Sequence, residues 1–383
     1  MAASDAACAT EWRARLSSST PAIAARPTRA HSASPEAGVT RSPFLSGALL
    51  ALASAFAFGA TTPLVQRFGH DAGPLTTACL LYAGAAVAAF VGPSRGESAP
   101  RRAHLPRLVL VAIAGAVIAP ALLAWGLQRT SATSASLLLN SEAVFTVLLA
   151  RVFFREPIGW RVALAVALMV AGGALLVARD ASSVELGAAG MLAVVAATLA
   201  WAIDNALTRP LADLDPARVV ASKAGLGALL TLVAAVATRD RVPSSLHAVV
   251  LAACGATGYG ASLRLYLLAQ RRIGAARTAS LFAVAPFVGV AIAWTLGERG
   301  DWRATLGAST LFAIGVALHL TEKHAHAHIH DAVDHEHAHR HDDGHHDHAH
   351  DPAVAGAHSH AHHHDATAHA HDHAPDVHHG HRH

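Results

Sequence analysis

The sequence from Phe44 to Gln66 reads FLSGALLALASAFAFGATTPLVQ, a run without a charged residue. A helix of about 20 apolar residues is long enough to cross the hydrocarbon core of a bilayer. Apolar stretches of comparable length recur along the chain, and we predict ten transmembrane helices at about residues 44–66, 72–91, 106–127, 131–152, 160–179, 186–208, 217–237, 245–268, 274–296 and 303–320. The sequence therefore predicts an all-α membrane protein.

The composition excludes a soluble globular domain. Of the 383 residues, 53% are hydrophobic and only 14% are charged, against roughly 25% charged in an ordinary soluble domain, and the mean hydropathy is +0.36. The three cysteines, Cys8, Cys79 and Cys254, are dispersed and form no CxxC pair, so no disulfide framework or cysteine zinc module is expected. A nucleophile with a base partner, a phosphate loop and an HExxH motif are all missing from the sequence, so we do not expect an enzyme.

Loop charge predicts the orientation of the helices. Residues 1–43 lack an apolar core and are not a secretory signal peptide; we expect a disordered cytoplasmic extension, with an organelle-targeting segment as the alternative. With this end in the cytoplasm, the inside segments hold 18 Lys or Arg and the outside loops hold 7. Because Lys and Arg in short loops favour the cytoplasm, both termini are predicted to face it, and we expect a bacterial inner membrane.

The chain repeats itself at an offset of about 143 residues. The stretch SGALLALA from Ser46 matches AGMLAVVA from Ala189, and the spacing of Glu156 and Trp160 recurs at Glu298 and Trp302. We assign a first repeat to residues 44–180 and a second to residues 186–321, with five helices each. Because five is odd, the second repeat must be inserted upside down, and such inverted repeats enclose the central cavity of many carriers.

The sequence SLLLNSEAVFTVLLA, from Ser136 to Ala150, with Glu156 after it, resembles the drug/metabolite transporter superfamily of the EamA type. The second copy repeats the pattern with Ala285-Pro286-Phe287 and Gly297-Glu298, and the resemblance covers about residues 44–320. It implies ten helices and the export or exchange of small metabolites without a covalent cofactor. One departure is Ala143, where the family usually has proline, so a helix break is expected more at Pro286 than here.

The chain also resembles one EamA subgroup, in the stretch Trp201 to Arg209 and in Gly258-Tyr259-Gly260. Members of that subgroup can end in histidine-rich tails, and the ending from His373 to His383 is similar.

Charged side chains inside apolar helices are costly, so those that persist usually face a cavity or a partner. Asp204 and Asn205 correspond through the repeat to Thr61 and Thr62, and paired positions of this kind form midplane sites. The alternatives for the two acids are structural: Glu142 pairs with Lys223 or Arg264, and Asp204 offsets Arg209. Lys223 and Arg264 are explained by an anion site or by a salt bridge to Glu142 or Asp204. The residues predicted for a substrate or proton path are Glu142, Asp204, Asn205, Lys223, Arg264, Asn140, Thr61, Thr62 and Pro286. Glu156 and Glu298, at the membrane borders, are expected to cap helices or to pair with arginine.

Histidine is concentrated at the C-terminal end. Of the 29 histidines, 24 lie from His324 to His383, together with ten acidic residues. The segment 322–383 lacks apolar periodicity, so we predict a disordered cytoplasmic tail. Imidazoles mixed with carboxylates bind zinc, nickel or cobalt, although a tail without a metal role is the alternative. Representative ligands are His335, His337, His339, His341, His345, His346, His348 and His350.

Two functions compete at this point. The resemblance favours a metabolite or amino-acid exporter that works by alternating access with a metal-responsive tail, whereas the tail favours a divalent-metal exporter. A membrane protein that senses or stores metal without transport is the third option. We expect a small-molecule substrate, the lipid bilayer and divalent metal ions as partners, no required cofactor and no nucleic acid; a homodimer remains open.

Overall fold

A computed structural model describes residues 43–90, 99–154, 158–180, 185–211, 214–298, 300–321, 324–330, 333–339, 358–364 and 367–373. The predictions made for residues 1–42 and for Glu156 lie outside these residues.

The first repeat contains the helices of the first five predicted spans. Two of the spans are interrupted, one by a π-helical segment and one by a break. The elements are α1 (Pro43–Phe68), α2 (Pro74–Phe90), a 3-10 turn (Arg102–His104), α3 (Leu105–Ala112), the first π segment (Ile113–Ile118), α4 (Ala119–Leu127), α5 (Ala132–Leu138), α6 (Ser141–Phe154) and α7 (Trp160–Asp180).

The second repeat follows the same order and has interruptions at equivalent places. Its elements are α8 (Glu185–Thr208), a 3-10 turn (Arg209–Leu211), α9 (Pro216–Ala237), α10 (Ser245–Cys254), the second π segment (Gly255–Ala261), α11 (Ser262–Ile273), α12 (Ala275–Phe282), α13 (Ala285–Thr295) and α14 (Trp302–Leu320).

The predicted all-α membrane fold is confirmed. Within the described residues, nine helices are long and apolar enough to cross a membrane, and a tenth, Pro74–Ala89, is apolar but shorter. The boundaries follow the sequence prediction closely; the main difference is the eighth span, which continues to Ile273 rather than ending near residue 268.

The fourth span is broken where no proline stands, so the expectation that the break would occur mainly at Pro286 was incomplete. α5 ends at Leu138 and α6 begins at Ser141, just as α12 ends at Phe282 and α13 begins at Ala285. Asn140 favours the first break, because its side-chain Nδ2 and its backbone amide both donate to the Leu137 carbonyl, at 3.0 and 3.1 Å, and such local bonds compete with a continuous helix.

The two repeats interlock, with equivalent helices packed against each other. α2 packs against α9, and α7 packs against α14. The contacts of α1 with α11 have their counterpart in those of α8 with α4. Ser54 of α1 and Ser262 of α11 fasten one of these crossings, since each hydroxyl donates to the other residue's carbonyl, at 2.7 and 3.0 Å.

One end of the bundle is tied together by loops from both repeats. The Asp240 carboxylate accepts from the first amides of α2, at Leu75 and Thr76. Glu298 accepts in the same way from Ala132 and Thr133 at the start of α5, both at 2.8 Å. Carboxylates at helix N-termini satisfy unpaired amides and complement the helix dipole. For Glu298, capping is one of the two roles expected from the sequence.

The tail differs from the sequence prediction. Strand β1 (His324–His330) pairs antiparallel with β4 (Thr367–His373), and β2 (Val333–His339) pairs antiparallel with β3 (His358–His364). The alternating His-x-His pattern has the two-residue period of a strand, and backbone hydrogen bonds between strands need no apolar core residues. The predicted disorder therefore does not describe these four segments.

Candidate functional site

Four of the predicted path residues meet inside the bundle, where α6, α8 and α9 approach. Asn205 Nδ2 on α8 donates to Glu142 Oε1 on α6 at 2.7 Å. One turn away along the site, Lys223 Nζ on α9 donates to Asp204 Oδ2 and forms an ion pair with it. Thr208 adds a long contact of 3.5 Å to the other Asp204 oxygen. The site therefore combines one carboxylate from the first repeat with three groups from the second.

The two carboxylates have different surroundings. Asp204 is 2% exposed and is neutralised by Lys223. Glu142 is half-buried and Asn205 is exposed. Among the described residues, the Glu142 side chain accepts a hydrogen bond from a neutral amide and forms no ion pair; Lys223 is bonded to Asp204 instead, and Arg264 is exposed on α11. The pairing of Glu142 with Lys223 or Arg264 is not found, and Glu142 is the carboxylate open to a proton or a cationic group.

A backbone carbonyl beside Asp204 is held by two aromatic side chains. In the first π segment the Ala119 amide donates to Ala114, and Pro120, one residue further on, has no amide hydrogen to donate. The Gly115 carbonyl is therefore available, and it accepts from the Tyr82 hydroxyl at 2.5 Å and from Trp201 Nε1 at 3.1 Å. The π segment thus fixes two aromatic rings next to the charged cluster.

Tyr259 of the second π segment completes an aromatic cluster. Its ring centroid lies 5.6 Å from that of Tyr82, 6.3 Å from that of Trp201 and 5.9 Å from that of Phe58. The sequence analysis did not assign these side chains to the site. Aromatic residues make up only 5% of the chain. Their scarcity in the sequence was a signal that Tyr82, Trp201, Tyr259 and Phe58 could share a site.

Thr61 and Thr62, which correspond to Asp204 and Asn205 in the other repeat, lie in mainly apolar surroundings. Thr61 and Thr62 are both 3% exposed, and Thr61 donates to the Ala57 carbonyl. Thr62 and Pro286 line a crevice with Phe58, Ser136 and Leu139, in which a water molecule finds no room. The Ser136 hydroxyl is buried there and has no hydrogen-bond partner among the residues that the structure describes. Equivalent positions of the two repeats therefore differ in character. Asp204 belongs to a charged pair, whereas Thr62 lines a closed, mainly apolar crevice.

The remaining candidates are distributed as follows. Asn140 stabilises the break between α5 and α6, next to Glu142. Of the tail histidines, His335, His337 and His339 lie on β2, where their backbone partners on β3 are His362, His360 and His358. His341, His345, His346, His348 and His350 lie outside the described residues.

A bundle of two equivalent five-helix units with an internal charged cluster defines a membrane carrier. The EamA-like transporter family matches residues 45–178 and 188–321, which are most of the two repeats. The chain therefore belongs to the EamA-like transporter family and is an integral membrane transporter rather than an enzyme.

Individual relatives agree with this assignment. The chain is 31% identical over 210 residues to an uncharacterized transporter of Methanothermobacter thermautotrophicus, and the match covers 53% of this chain and 61% of that protein. It is 29% identical over 261 residues to a probable terminal-alkyne amino-acid exporter of Streptantibioticus cattleyicolor, covering 65% of this chain and 83% of that protein. A protein of known crystal structure shares the fold, with a TM-score of 0.54 at 18% identity, over 73% of this chain and 98% of its own.

Proposed function

We propose that this transporter is a secondary-active carrier that exports or exchanges a small metabolite by alternating access. The observation that carries the proposal is the charged cluster of Glu142, Asn205, Asp204 and Lys223, which joins helices of both repeats. A site made by both halves changes its access when the halves rock against each other.

In this proposal Glu142 is the working carboxylate and the Asp204–Lys223 pair is its fixed neighbour. A carboxylate in a membrane is costly unless it is protonated or meets a cation. Within the described part of the chain, the Glu142 carboxylate accepts from the neutral Asn205 amide and forms no ion pair, so a proton or a substrate ammonium group completes its shell. Competition between the two for one carboxylate would couple substrate movement to a proton gradient.

The chemistry around Glu142 favours an amino acid or a related amine as the substrate. The carboxylate binds an ammonium group. The rings of Trp201, Tyr82 and Tyr259 offer cation–π contacts to that ammonium group and apolar surface to the rest of the substrate. The Streptantibioticus relative, named as a probable amino-acid exporter, supports this choice.

The test is counterflow of labelled amino acids in proteoliposomes that contain the purified full chain. We expect uptake against unlabelled substrate, a strong reduction in Glu142→Gln at substrate concentrations that half-saturate the parent protein, and retention in Asp301→Asn. Asp301 is a suitable control because its carboxylate caps α14 through the amides of Arg303 and Ala304, and asparagine caps equally well. No counterflow with amino acids or with other amines would refute the proposed substrate class.

A divalent-metal exporter is the second candidate, and the histidine tail favours it. Of the 29 histidines, 24 lie from residue 324 onward. The register places histidines opposite one another in both antiparallel strand pairs, β1 with β4 and β2 with β3. We propose that the tail binds zinc, nickel or cobalt in the cytoplasm and either regulates the carrier or delivers the ion to it. Efflux of labelled zinc that requires residues 324–383, without any amino-acid counterflow, would favour this candidate.

A further inference from the structure

Three metal-ligating side chains meet at the end of the bundle that the loops tie together. His70 and Asp71 follow α1 in the first repeat, and His247 lies in the first turn of α10 in the second repeat. One ligand atom from each residue lies within 4.8 Å of the other two. The cluster is at the opposite end of the bundle from the tail, because α14 begins near Glu298 and runs away from this end to Leu320.

Hydrogen bonds orient both imidazoles and place one of them beside the carboxylate. His70 Nδ1 lies 2.9 Å from the Arg67 carbonyl oxygen, which can only accept, so Nδ1 carries the hydrogen. His247 Nδ1 lies 2.9 Å from Asp71 Oδ1, and the carboxylate again can only accept. The His70 ring therefore presents the lone pair of Nε2. Between Asp71 and His247, an ion takes the place of the shared hydrogen: the His247 hydrogen moves to Nε2, and Nδ1 and Asp71 Oδ1 both become ligands.

The surroundings hold Asp71 and His247 in position before any ion binds. Asp71 Oδ2 accepts from the Ser244 amide at 3.2 Å. The Phe68 ring packs edge-on against His247 with centroids 5.4 Å apart, and the rings of His70 and His247 are also 5.4 Å apart. The backbone bond from Gly73 to the Arg241 carbonyl, at 2.8 Å, joins the two loops. A preorganised shell of this kind strengthens metal binding.

We propose that His70, Asp71 and His247 form a binding site for a divalent transition-metal ion of the zinc class. Two imidazoles and a carboxylate suit zinc, nickel and cobalt, and a water molecule completes a four-coordinate shell. Zinc–ligand distances are about 2.0–2.2 Å, so the ligand atoms must move closer together than they lie here. The exposed His70 side chain closes the gap by rotating toward the other two.

The position of the site gives the ion a mechanical effect. His70 and Asp71 belong to the first repeat and His247 to the second, so a bound ion links the two repeats at this end. If this end of the bundle opens during alternating access, the ion must be released from one repeat. A bound ion therefore favours the conformation in which this end is closed. The site therefore provides inhibition by metal from the side opposite the tail, independent of the tail histidines.

Peptide-resolved carbethoxylation of the full chain in detergent tests the site directly. Diethyl pyrocarbonate modifies free imidazole nitrogens, and mass spectrometry assigns each modified histidine, so the tail does not obscure the result. With free zinc buffered at micromolar levels, we expect modification of His70 and His247 to slow by about tenfold or more, as ligation removes the reactive lone pair. His104, on the other side of the bundle, is expected to react at an unchanged rate. Equal rates at His70 with and without zinc would overturn the proposal.

Variants test the assignment of each ligand. His247→Ala is expected to abolish the zinc protection of His70. Asp71→Asn removes a ligand and should weaken the protection at least as much as loss of an outer-shell partner does, by about ten- to a hundredfold or more. His104→Ala is the matched control and should leave the protection intact. If His247→Ala left His70 fully protected, the shared site would be excluded. Zinc protection of His70 and His247 is measured first on the unmodified chain, so a variant that fails to fold does not remove that test. The metal site is also independent of the amino-acid substrate, so an absence of amino-acid counterflow does not contradict it.

Discussion

Asp204 on α8 packs directly against Gly115 of the first π segment, so closely that a methyl group on Gly115 would overlap the carboxylate. The counterpart contact lies in the other half, where Thr61 on α1 packs against Gly258 of the second π segment and a methyl group would overlap the Thr61 hydroxyl. Asp204 corresponds to Thr61, and Gly115 to Gly258, at the repeat offset of 143. The two repeats therefore make equivalent contacts between a helix and a π segment, through a carboxylate at Asp204 and through a hydroxyl at Thr61.

The first prediction concerns these two glycines. Gly115→Ala and Gly258→Ala are expected to lower the free energy of unfolding by about 1–3 kcal/mol, because the added methyl group forces packed helices apart. Thermal unfolding in detergent measures the change.

Gly225→Ala is the control for the glycine variants, since among the described residues no heavy atom beyond its chain neighbours and the adjacent backbone of its own helix lies within 4 Å of an added Cβ there. Alanine is the better helix former by about 1 kcal/mol, so this variant should be neutral or stabilised. A Gly115→Ala protein as stable as Gly225→Ala would contradict the close packing.

The second prediction concerns the Asp204–Lys223 pair. Removing one partner leaves an uncompensated buried charge, and we expect Asp204→Asn or Lys223→Met alone to cost about 3 kcal/mol or more. Asp204→Asn combined with Lys223→Met removes both charges and should recover a large part of the loss. A double variant that loses the sum of the two single effects would show that the ion pair does not stabilise the bundle.

Most of the fold follows from the sequence, because the length of an apolar run is set by the bilayer and is local in the chain. The predicted span 217–237 and the observed helix Ala217–Ala237 coincide. The repeat offset also relates Asp204 to Thr61, and these two residues make equivalent contacts, with Gly115 and Gly258. Local patterns of this kind are independent of how the helices pack.

The partner of each polar residue was not predictable, because pairing depends on rotation and packing of helices distant in sequence. The sequence left Lys223 to pair with Glu142 or Asp204, and the structure pairs it with Asp204. Tyr82 and Trp201 were missed because their shared acceptor, the Gly115 carbonyl, is available only in a π-helical segment. The break at Asn140 was underestimated for a similar reason, since a side chain rather than a proline stabilises it.

The third prediction concerns the tail. The full chain should bind several divalent ions, and removal of residues 324–383 should eliminate most of this binding while leaving basal transport unchanged. Protonated imidazole cannot ligate a metal, so affinity should fall as the pH drops below about 6.5, near the ordinary pKa of histidine, and recover above it. Zinc titration calorimetry at pH 7.5 and pH 5.5 measures both effects, with His104→Asn as a full-length control. An unchanged zinc stoichiometry after removal would exclude the tail as the binding segment.

The fourth prediction separates proton coupling from substrate binding at Glu142. Glu142→Gln keeps an oxygen that accepts the Asn205 hydrogen bond, so the fold around α6 and α8 should persist, but it removes the group that takes up a proton. If the carboxylate also binds the substrate ammonium, the lost charged hydrogen bond is worth about 1.5–3 kcal/mol, and substrate affinity should fall about ten- to a hundredfold.

Transport by the parent protein should change with an imposed pH gradient, whereas residual exchange by Glu142→Gln at saturating substrate should be insensitive to it. Substrate exchange and gradient-driven efflux, measured in the same proteoliposomes, distinguish the two effects. A variant that keeps the response to the gradient while losing affinity would leave Glu142 as a binding group and move proton coupling to another carboxylate. Asp204 would then be the next to examine, because it is the other carboxylate of the cluster and Lys223 neutralises it only while their ion pair is closed.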